Sequence, residues 1–390
     1  MSEPPRWCHE AWIPLLAGLY WLWSAPAHGL PGFLFSVLPG SLLLGSGLAM
    51  LLMPGDLRIS QFAALGGGSG VLFALPAFVV VGFFHGLGLV ALSAAAFAAA
   101  GMYTVRLEPR RADVPAPTPG LRLAAEVAAD ELILSGHTLT AMVQRNDDFS
   151  RIRREIEEAS ALFESMGWRE KPFGYHVLPP GLESPAIVPD TTRGVAYEHW
   201  RFESDYEPNE GEPGRARWLD YAANRTAHAW VLRHRGGPRP WLVCIHGYQM
   251  GRPLLDFGAF RPDWLHDRLG LNLLLPVLPL HGPRTVGWRS GDGFLGADVL
   301  DTVHAEAQAI WDMRRMIGWI RAEGAEGIGV YGLSLGGYNA ALLASLDEGL
   351  ACAIAGIPAS DFARLFFRHR PTLQVRRAVL HGIEETRVAE

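Results

Sequence analysis

The sequence predicts two parts in one chain: an all-α region that crosses a membrane, followed by an α/β domain built on a mostly parallel sheet. Three observations carry this reading. Between Ala11 and Val105 the only charged side chains are Asp56 and Arg58, whereas almost all acidic and basic residues lie beyond Val105. That charge-poor quarter contains uncharged runs as long as a bilayer requires. From about Val195, short runs rich in β-branched and aromatic residues alternate with segments of helical period, the pattern of strands joined by crossover helices. A chain of 390 residues has room for both parts.

Phe33 to Met53 is a first span, closed by the turn signal Pro54-Gly55-Asp56. Phe62 to Val105 is long enough for two more, about Phe62 to Val81 and Leu87 to Val105, with a turn near Gly82, His85, Gly86 and Gly88. Ahead of these, Ala11 to Ala27 is rich in Trp12, Tyr20, Trp21 and Trp23 and interrupted by Pro14 and Pro26. It reads as an interfacial aromatic segment or a fourth, short span. A signal peptide ending at Ala25-Pro26-Ala27 fits less well, because Glu3 and Glu10 outnumber Arg6 at the N-terminus. A hairpin of the second and third spans places Arg58 on the side of Arg106, Arg110 and Arg111. The positive-inside rule then puts that side, and the domain beyond it, in the cytoplasm. Residues 1–105 are thus the transmembrane region of an integral membrane protein, in contact with membrane lipids. A transporter reading is weakened because the spans carry no ionisable residue besides His85.

Residues 106–190 read as linker and amphipathic helices. Pro-rich Arg111 to Gly120 is the linker. Ile152, Ile156, Ala159, Phe163 and Met166 then recur at helical spacing among charged residues, a helix whose apolar stripe lies against the following domain or a membrane surface. The net charge of −6 with no dense basic stripe excludes a nucleic-acid partner. Cys8, Cys244 and Cys352 are too few and too scattered for a disulfide framework or metal cluster. The latter two sit in apolar runs and are expected to be small buried side chains. Gly66-Gly67-Gly68-Ser69-Gly70 lacks the spacing of a phosphate loop and, within a span, suits close helix packing. His228 and His234 share a strand face but have too few companions for a metal site.

The domain of residues 191–390 opens with Val195 to Phe202 and Thr226 to Arg233, which alternate like half-exposed strands. Trp241 to Ile245 and Leu271 to Leu275 are more continuously apolar and read as central strands. Val303, Ala307, Ile310, Met313, Ile317 and Ile320 mark a helix. A strand at Ile328 to Tyr331 then runs straight into Gly332-Leu333-Ser334-Leu335-Gly336-Gly337, and Tyr338 to Asp347 reads as helix. Strand, Gly-x-Ser-x-Gly and helix together make a nucleophile elbow: Gly332 and Gly336 are there because side chains would strike the neighbouring strand and helix. The turn lifts the Ser334 hydroxyl to the carboxyl edge of the sheet, beside the positive end of the helix. The Leu335 N–H there supplies one donor for an oxyanion.

The order strand, His246-Gly247-Tyr248, strand, elbow serine and strand resembles the α/β-hydrolase superfamily, from about Val195 to the C-terminal region. Leu278-Pro279-Leu280-His281-Gly282-Pro283-Arg284, taken with Gly-Leu-Ser-Leu-Gly-Gly, resembles more narrowly an uncharacterised hydrolase group marked by Leu-His-Gly-Pro-Arg. The resemblance implies a serine hydrolase that needs no cofactor or metal and acts on a small molecule with an ester-like bond, lipid-like by virtue of the membrane location. Ser334 would be its nucleophile and the Tyr248 N–H the second oxyanion donor, with His246 and Gly247 supporting that loop. His281 and Arg284 would sit beside the nucleophile, orienting substrate or building the loop.

A serine nucleophile needs a base, normally a histidine oriented by a carboxylate. In this superfamily both follow the nucleophile. Only one strand, Ala351 to Ile357, follows Ser334, and Pro358 to Glu390 reads as helix, so the core looks C-terminally incomplete. His369 and His381 follow no strand and read as surface residues of helices. Asp361 is a weak candidate acid whose simpler role is a helix N-cap. Two readings stay open: a shortened hydrolase, or a membrane-tethered binding protein that keeps the hydrolase fold.

Overall fold

The computed structural model describes residues 8–24, 29–108, 115, 117–143, 149–296, 298–369 and 372–389. Two compact units divide the chain, Met1–Arg145 and Asn146–Glu390.

In the first unit the chain forms α1 (Trp12–Ser24), α2 (Gly29–Leu52), α3 (Arg58–Val81), α4 (Phe83–Leu107) and α5 (Leu121–Val143). Gly32–Leu52, Arg58–Val81 and Phe83–Leu107 are long and apolar enough to cross a membrane. Both later spans begin four residues ahead of their expected starts. The turn between them needs only Gly82, whose φ of +83° reverses the chain at once. Gly86 and Gly88 instead lie inside α4, against Phe78 and Tyr20. With 13 residues α1 is short of a span. Residues 111–114 and 116 of the Pro-rich stretch fall outside the described residues, as do Arg110 and Ala25-Pro26-Ala27.

In a membrane, apolar side chains would gain little by leaving lipid for each other, and small residues that let backbones touch would hold such a bundle. A Cβ on Gly67 would stand 2.8 Å from the Phe97 N of α4, which explains the glycine run as a packing surface. One on Gly101 would fall 1.8 Å from the Ala124 carbonyl oxygen of α5. Polar groups inside the unit pair with one another: Trp21 Nε1 donates to Ser93 Oγ at 2.9 Å, and Arg106 meets Glu10 at 2.8 Å.

The second unit begins with α6 (Phe149–Ser165), then β1 (Ala186–Thr192), β2 (Val195–Glu203), α7 (Arg215–Leu219), β3 (Thr226–Leu232), β4 (Trp241–Ile245) and α8 (Pro253–Phe260). It continues with β5 (Asn272–Val277), α9 (Val299–Ala322), β6 (Ile328–Leu333), α10 (Leu335–Leu346), β7 (Cys352–Gly356), α11 (Phe362–His369), α12 (Thr372–Leu380) and α13 (Glu385–Ala389). One seven-stranded sheet results, in the order β1-β2-β3-β5-β4-β6-β7. Pairing is antiparallel from β1 to β5 and parallel from β5 through β4 and β6 to β7. The sheet is therefore mixed, and the expected mostly parallel arrangement holds for its second half.

The antiparallel start comes from a hairpin absent from the expected elements. β1 pairs with β2 through Arg193-Gly194, both at positive φ as a two-residue hairpin turn demands. Pro189 is tolerated because β1 is an edge strand. β3, expected half-exposed, is buried after Thr226: it has neighbours on both sides and helices cover both faces. Along β4, Trp241, Val243 and Ile245 enter the core with Ile310, Met313 and Ile317 of α9, while Leu242 and Cys244 pack with Phe257 and Phe260 of α8. Both faces being covered is why β4 and β5 read as unbroken apolar runs.

At the opposite edge β7 pairs only with β6, and Cys352, expected to be buried, is exposed there. The amphipathic helix α6 lies on its own unit: Phe149 and Ile152 pack with Ala378 and Ile383, near α12. Its polar side joins an ion network in which Arg217 reaches Glu155, Asp298 and Asp301 at 2.8 to 3.0 Å.

Gly101→Ala should cost the bundle about 1–3 kcal/mol by forcing α4 off α5. Gly45→Ala, whose Cβ would meet nothing within 4 Å, serves as the control. Thermal unfolding of both variants in detergent decides it, and equal midpoints would sink the backbone-contact account.

Candidate active site

Chain order along the sheet reverses at β4, with β5 on one side and β6 on the other. Such a switch point opens a crevice at the carboxyl ends of the strands. Register decides what faces it. Ile245, the last residue of β4, pairs with Gly332 of β6, so the chain leaves the sheet as His246-Gly247-Tyr248 on one side and Leu333-Ser334 on the other.

Ser334 links β6 directly to α10 with φ 55° and ψ −112°, a conformation side chains rarely accept. Strain of this kind costs about 1–3 kcal/mol and persists only where the surroundings over-determine it. Here the backbone is tied on three sides: Ser334 N–H donates to the Gly356 carbonyl at 2.9 Å, and its carbonyl accepts from Tyr338 and Ala359 N–H at 3.1 Å each. A Cβ on Gly332 would lie 1.8 Å from the Gly336 carbonyl oxygen, and one on Gly336 would lie 1.9 Å from that of Ile245. Only glycine fits either position. Gly247 meets the same turn, since a Cβ there would be 3.6 Å from that of Ser334. The amides that open α10, Leu335 among them, precede its first helical acceptors, as at every helix start.

His246 has both ring nitrogens engaged. Nδ1 lies 2.8 Å from the Gly247 carbonyl oxygen and Nε2 accepts from Leu278 N–H at 3.1 Å, so the ring is a neutral strut between the loops after β4 and β5. Burial pushes its pKa down. Asp256, absent from the expected site, accepts from Gly251 N–H and Trp230 Nε1–H at 3.0 Å each and fixes the far end of the His-Gly-Tyr loop. Ser290 ties the same two loops, accepting from Gly282 N–H at 2.8 Å and donating to the Met250 carbonyl.

The Leu-His-Gly-Pro-Arg segment is interior. Arg284 is fully buried; its Nη1 donates to Val277 O at 3.0 Å and Asp312 Oδ2 at 2.9 Å, and its Nη2 to Asn224 O at 3.0 Å. Of the two expected roles, the geometry gives it loop building and leaves no approach for substrate. His281 is equally buried, with Nδ1 2.8 Å from Pro279 O, Nε2 unpartnered, and burial holding its pKa well below that of a free imidazole.

No histidine is hydrogen-bonded to Ser334 among the described residues. His381 lies 3.3 Å from Ser150 Oγ and stacks on Phe149 of α6; the His369 side chain is outside the described residues. Asp361 caps α11, its Oδ1 accepting from Arg364 N–H at 2.8 Å. His228 and His234 do not act together: His228 Nδ1 meets His199 Nε2 at 2.9 Å, whereas His234 stacks on His266 beyond the end of β3. No cluster of three or more metal-ligating side chains occurs among the described residues.

No protein-family model matches the chain. Two uncharacterized proteins of Mycobacterium tuberculosis, from strains CDC 1551 / Oshkosh and H37Rv, are each 47% identical over 257 residues, or 66% of this chain. The match spans 62% of the length of these relatives. An esterase from Pyrococcus furiosus aligns structurally with 54% of this chain and 69% of its own at 17% identity and a TM-score of 0.25, a likeness too slight to bear on fold or chemistry.

Replacing Arg284 by Met should destabilise the second unit by about 3–5 kcal/mol, because the Asp312 carboxylate is left buried and unpaired. Adding Asp312→Asn removes that charge and should restore more than half of the loss in chemical denaturation. Loss of the same size in single and double variants would count against the ion pair.

Proposed function

We propose that this protein is a membrane-anchored serine hydrolase with an α/β-hydrolase fold, in which Ser334 attacks an ester-like bond of a small, lipid-like substrate. The observation that carries the reading is the Ser334 backbone, strained at φ 55° between a strand and a helix at the switch point of the sheet. Strain kept in place by two glycines and three hydrogen bonds has a use where it presents a hydroxyl to the crevice and to the first amides of a helix. Counted from β2, the third strand leads into His246-Gly247-Tyr248, the position from which such folds supply a second oxyanion donor. Leu335 and Tyr248 N–H are the donors in this reading. His246, Gly247, His281 and Arg284 hold the loops, and Gly332 and Gly336 permit the turn. The reaction drawn from these residues is acyl transfer to the Ser334 hydroxyl, and it draws on no cofactor.

A second reading, a tethered binding protein of the same fold, is favoured because no histidine is bonded to Ser334 among the described residues. Reaction with an active-site-directed fluorophosphonate separates the two. Labelling of the full chain should occur at Ser334 and vanish in Ser334→Ala. Labelling that survives in that variant sinks the assignment, and none in the native chain favours the binding protein. Without general-base help, turnover of short activated esters should fall on the order of a thousandfold below that of a complete triad. Robust hydrolysis by the unmodified chain would show that a base exists.

The second unit belongs on the cytoplasmic side in this proposal. Arg58 and Arg106 stand at the α3 start and α4 end, which a hairpin of spans brings to one side, with Arg110 and Arg111 just beyond. A reporter fused after Arg111 should be active only in the cytoplasm; activity confined to the other compartment would reverse the topology.

A further inference from the structure

A cavity of about 700 Å³ opens in the second unit, away from the crevice between β4 and β6. Strand register makes it. β1 begins at Ala186, opposite Arg201, so Phe202 and Glu203 of β2 run on past their neighbour. The chain ahead of β1, Pro180 to Ser184, forms the facing wall. β5 and β3 stand between β4 and β2, and the cavity shares no residue with the site at Ser334.

Into this cavity faces Arg315 of α9, itself only 7% exposed. Three oxygens gather at its Nη1: the Glu203 and Ser204 carbonyls at 2.8 and 2.7 Å, and Asp205 Oδ2 at 3.1 Å. Phe202 lies against the guanidinium, whose Cζ is 5.3 Å from the ring centroid. All three hydrogen bonds use one nitrogen. Nε is enclosed without an acceptor, and Nη2 reaches none among the described residues. Nε–H and one Nη2–H point the same way, the donor pair that a carboxylate accepts. A buried donor without an acceptor is costly, and a lysine could hold the same three oxygens, so the unused edge of the guanidinium calls for an acceptor from outside the chain.

The other charges of the cavity say what else such a molecule carries. Asp205 meets Arg315, which leaves Arg201 with Glu183 and Glu203, three exposed side chains that form no ion pair among the described residues. A second anionic group would gain one guanidinium and face two carboxylates, whereas an ammonium group finds two carboxylates. Pro180, Leu182 and Phe202 supply an apolar wall, and the volume suits a small molecule. We propose that this cavity binds a small zwitterion of the amino-acid type, with its carboxylate on the free edge of Arg315, its ammonium towards Glu183 and Glu203, and an apolar side chain against Pro180, Leu182 and Phe202. Nothing in this depends on the chemistry of Ser334.

The test is titration calorimetry of the full chain in lipid nanodiscs with L-leucine, with isocaproate, which lacks the ammonium, and with L-leucinamide, which lacks the carboxylate. L-leucine should bind with a Kd below about 1 mM, and each analogue on the order of tenfold more weakly. Arg315→Lys keeps a cation for the three oxygens but has no free edge, and should weaken L-leucine on the order of tenfold. Should that variant not fold, the double variant Glu183→Gln with Glu203→Gln, at exposed positions, should weaken L-leucine by a similar factor without weakening isocaproate. No heat with L-leucine overturns the proposal, as does equal affinity for L-leucine and either analogue. So does L-leucine binding that is the same in the native chain and in every variant that folds.

Discussion

The parallel pairing of β4 with β6, with Ile245 opposite Gly332, is the constraint on which the rest of the site depends. It brings two chain exits side by side at the carboxyl edge and leaves α10 no route except across the end of β4. The Gly336 Cα then meets the Ile245 carbonyl so closely that one methyl group would end the arrangement. Everything peculiar about Ser334 follows from that squeeze. A left-handed backbone is the only way to turn from β6 into a helix lying so near, and hydrogen bonds to Gly356, Tyr338 and Ala359 offset its cost.

Around this turn the protein keeps polar groups where apolar ones would pack more cheaply. A buried Arg–carboxylate pair seldom adds net stability over apolar residues of similar volume, because desolvating both ions costs several kcal/mol. What Arg284 and Asp312 provide is direction. The guanidinium gathers Val277 O, Asn224 O and a carboxylate of α9 at one point, which fixes the exit of β5 relative to the helix behind it. His246 and Ser290 then carry that fixed position across to the loop after β4. The Leu-His-Gly-Pro-Arg segment is thus understood as the brace of the crevice.

Local features of this chain were legible in the sequence, and tertiary ones were not. Charge-free runs announce the three long helices because lipid length and backbone satisfaction leave few alternatives. The elbow could be read because strand, glycine spacing and helix all act within about fifteen residues of Ser334. β1 escaped because Ala186–Thr192 is exposed on both faces and shows no period of two; Arg193-Gly194 was its one signal. Cys352 lies in an apolar run yet is exposed, because β7 is an edge strand and an apolar run does not say whether a sheet edge is covered. Asp256 and Asp312 look like ordinary surface acids along their helices. Their roles depend on which side of each helix meets the sheet, and that is settled by packing.

The chemistry left to Ser334 follows from which parts stand next to it. An alcohol attacks well when its proton is removed as the bond forms, and backbone amides help only once charge has reached the oxygen of the group attacked. His281 has a vacant ring nitrogen but little basicity, because burial disfavours the imidazolium that proton transfer would create. In the serine-hydrolase reading, a hydroxyl beside helix-opening amides that has no histidine bonded to it among the described residues would gain stabilisation of charge on the group attacked but no help in losing its own proton, so activated esters and phosphonates alike would react slowly. In that reading, holding an anionic group and turning over an ester would be separable capacities, the first set by the start of α10 and the second by whatever base can reach the carboxyl edge of β6.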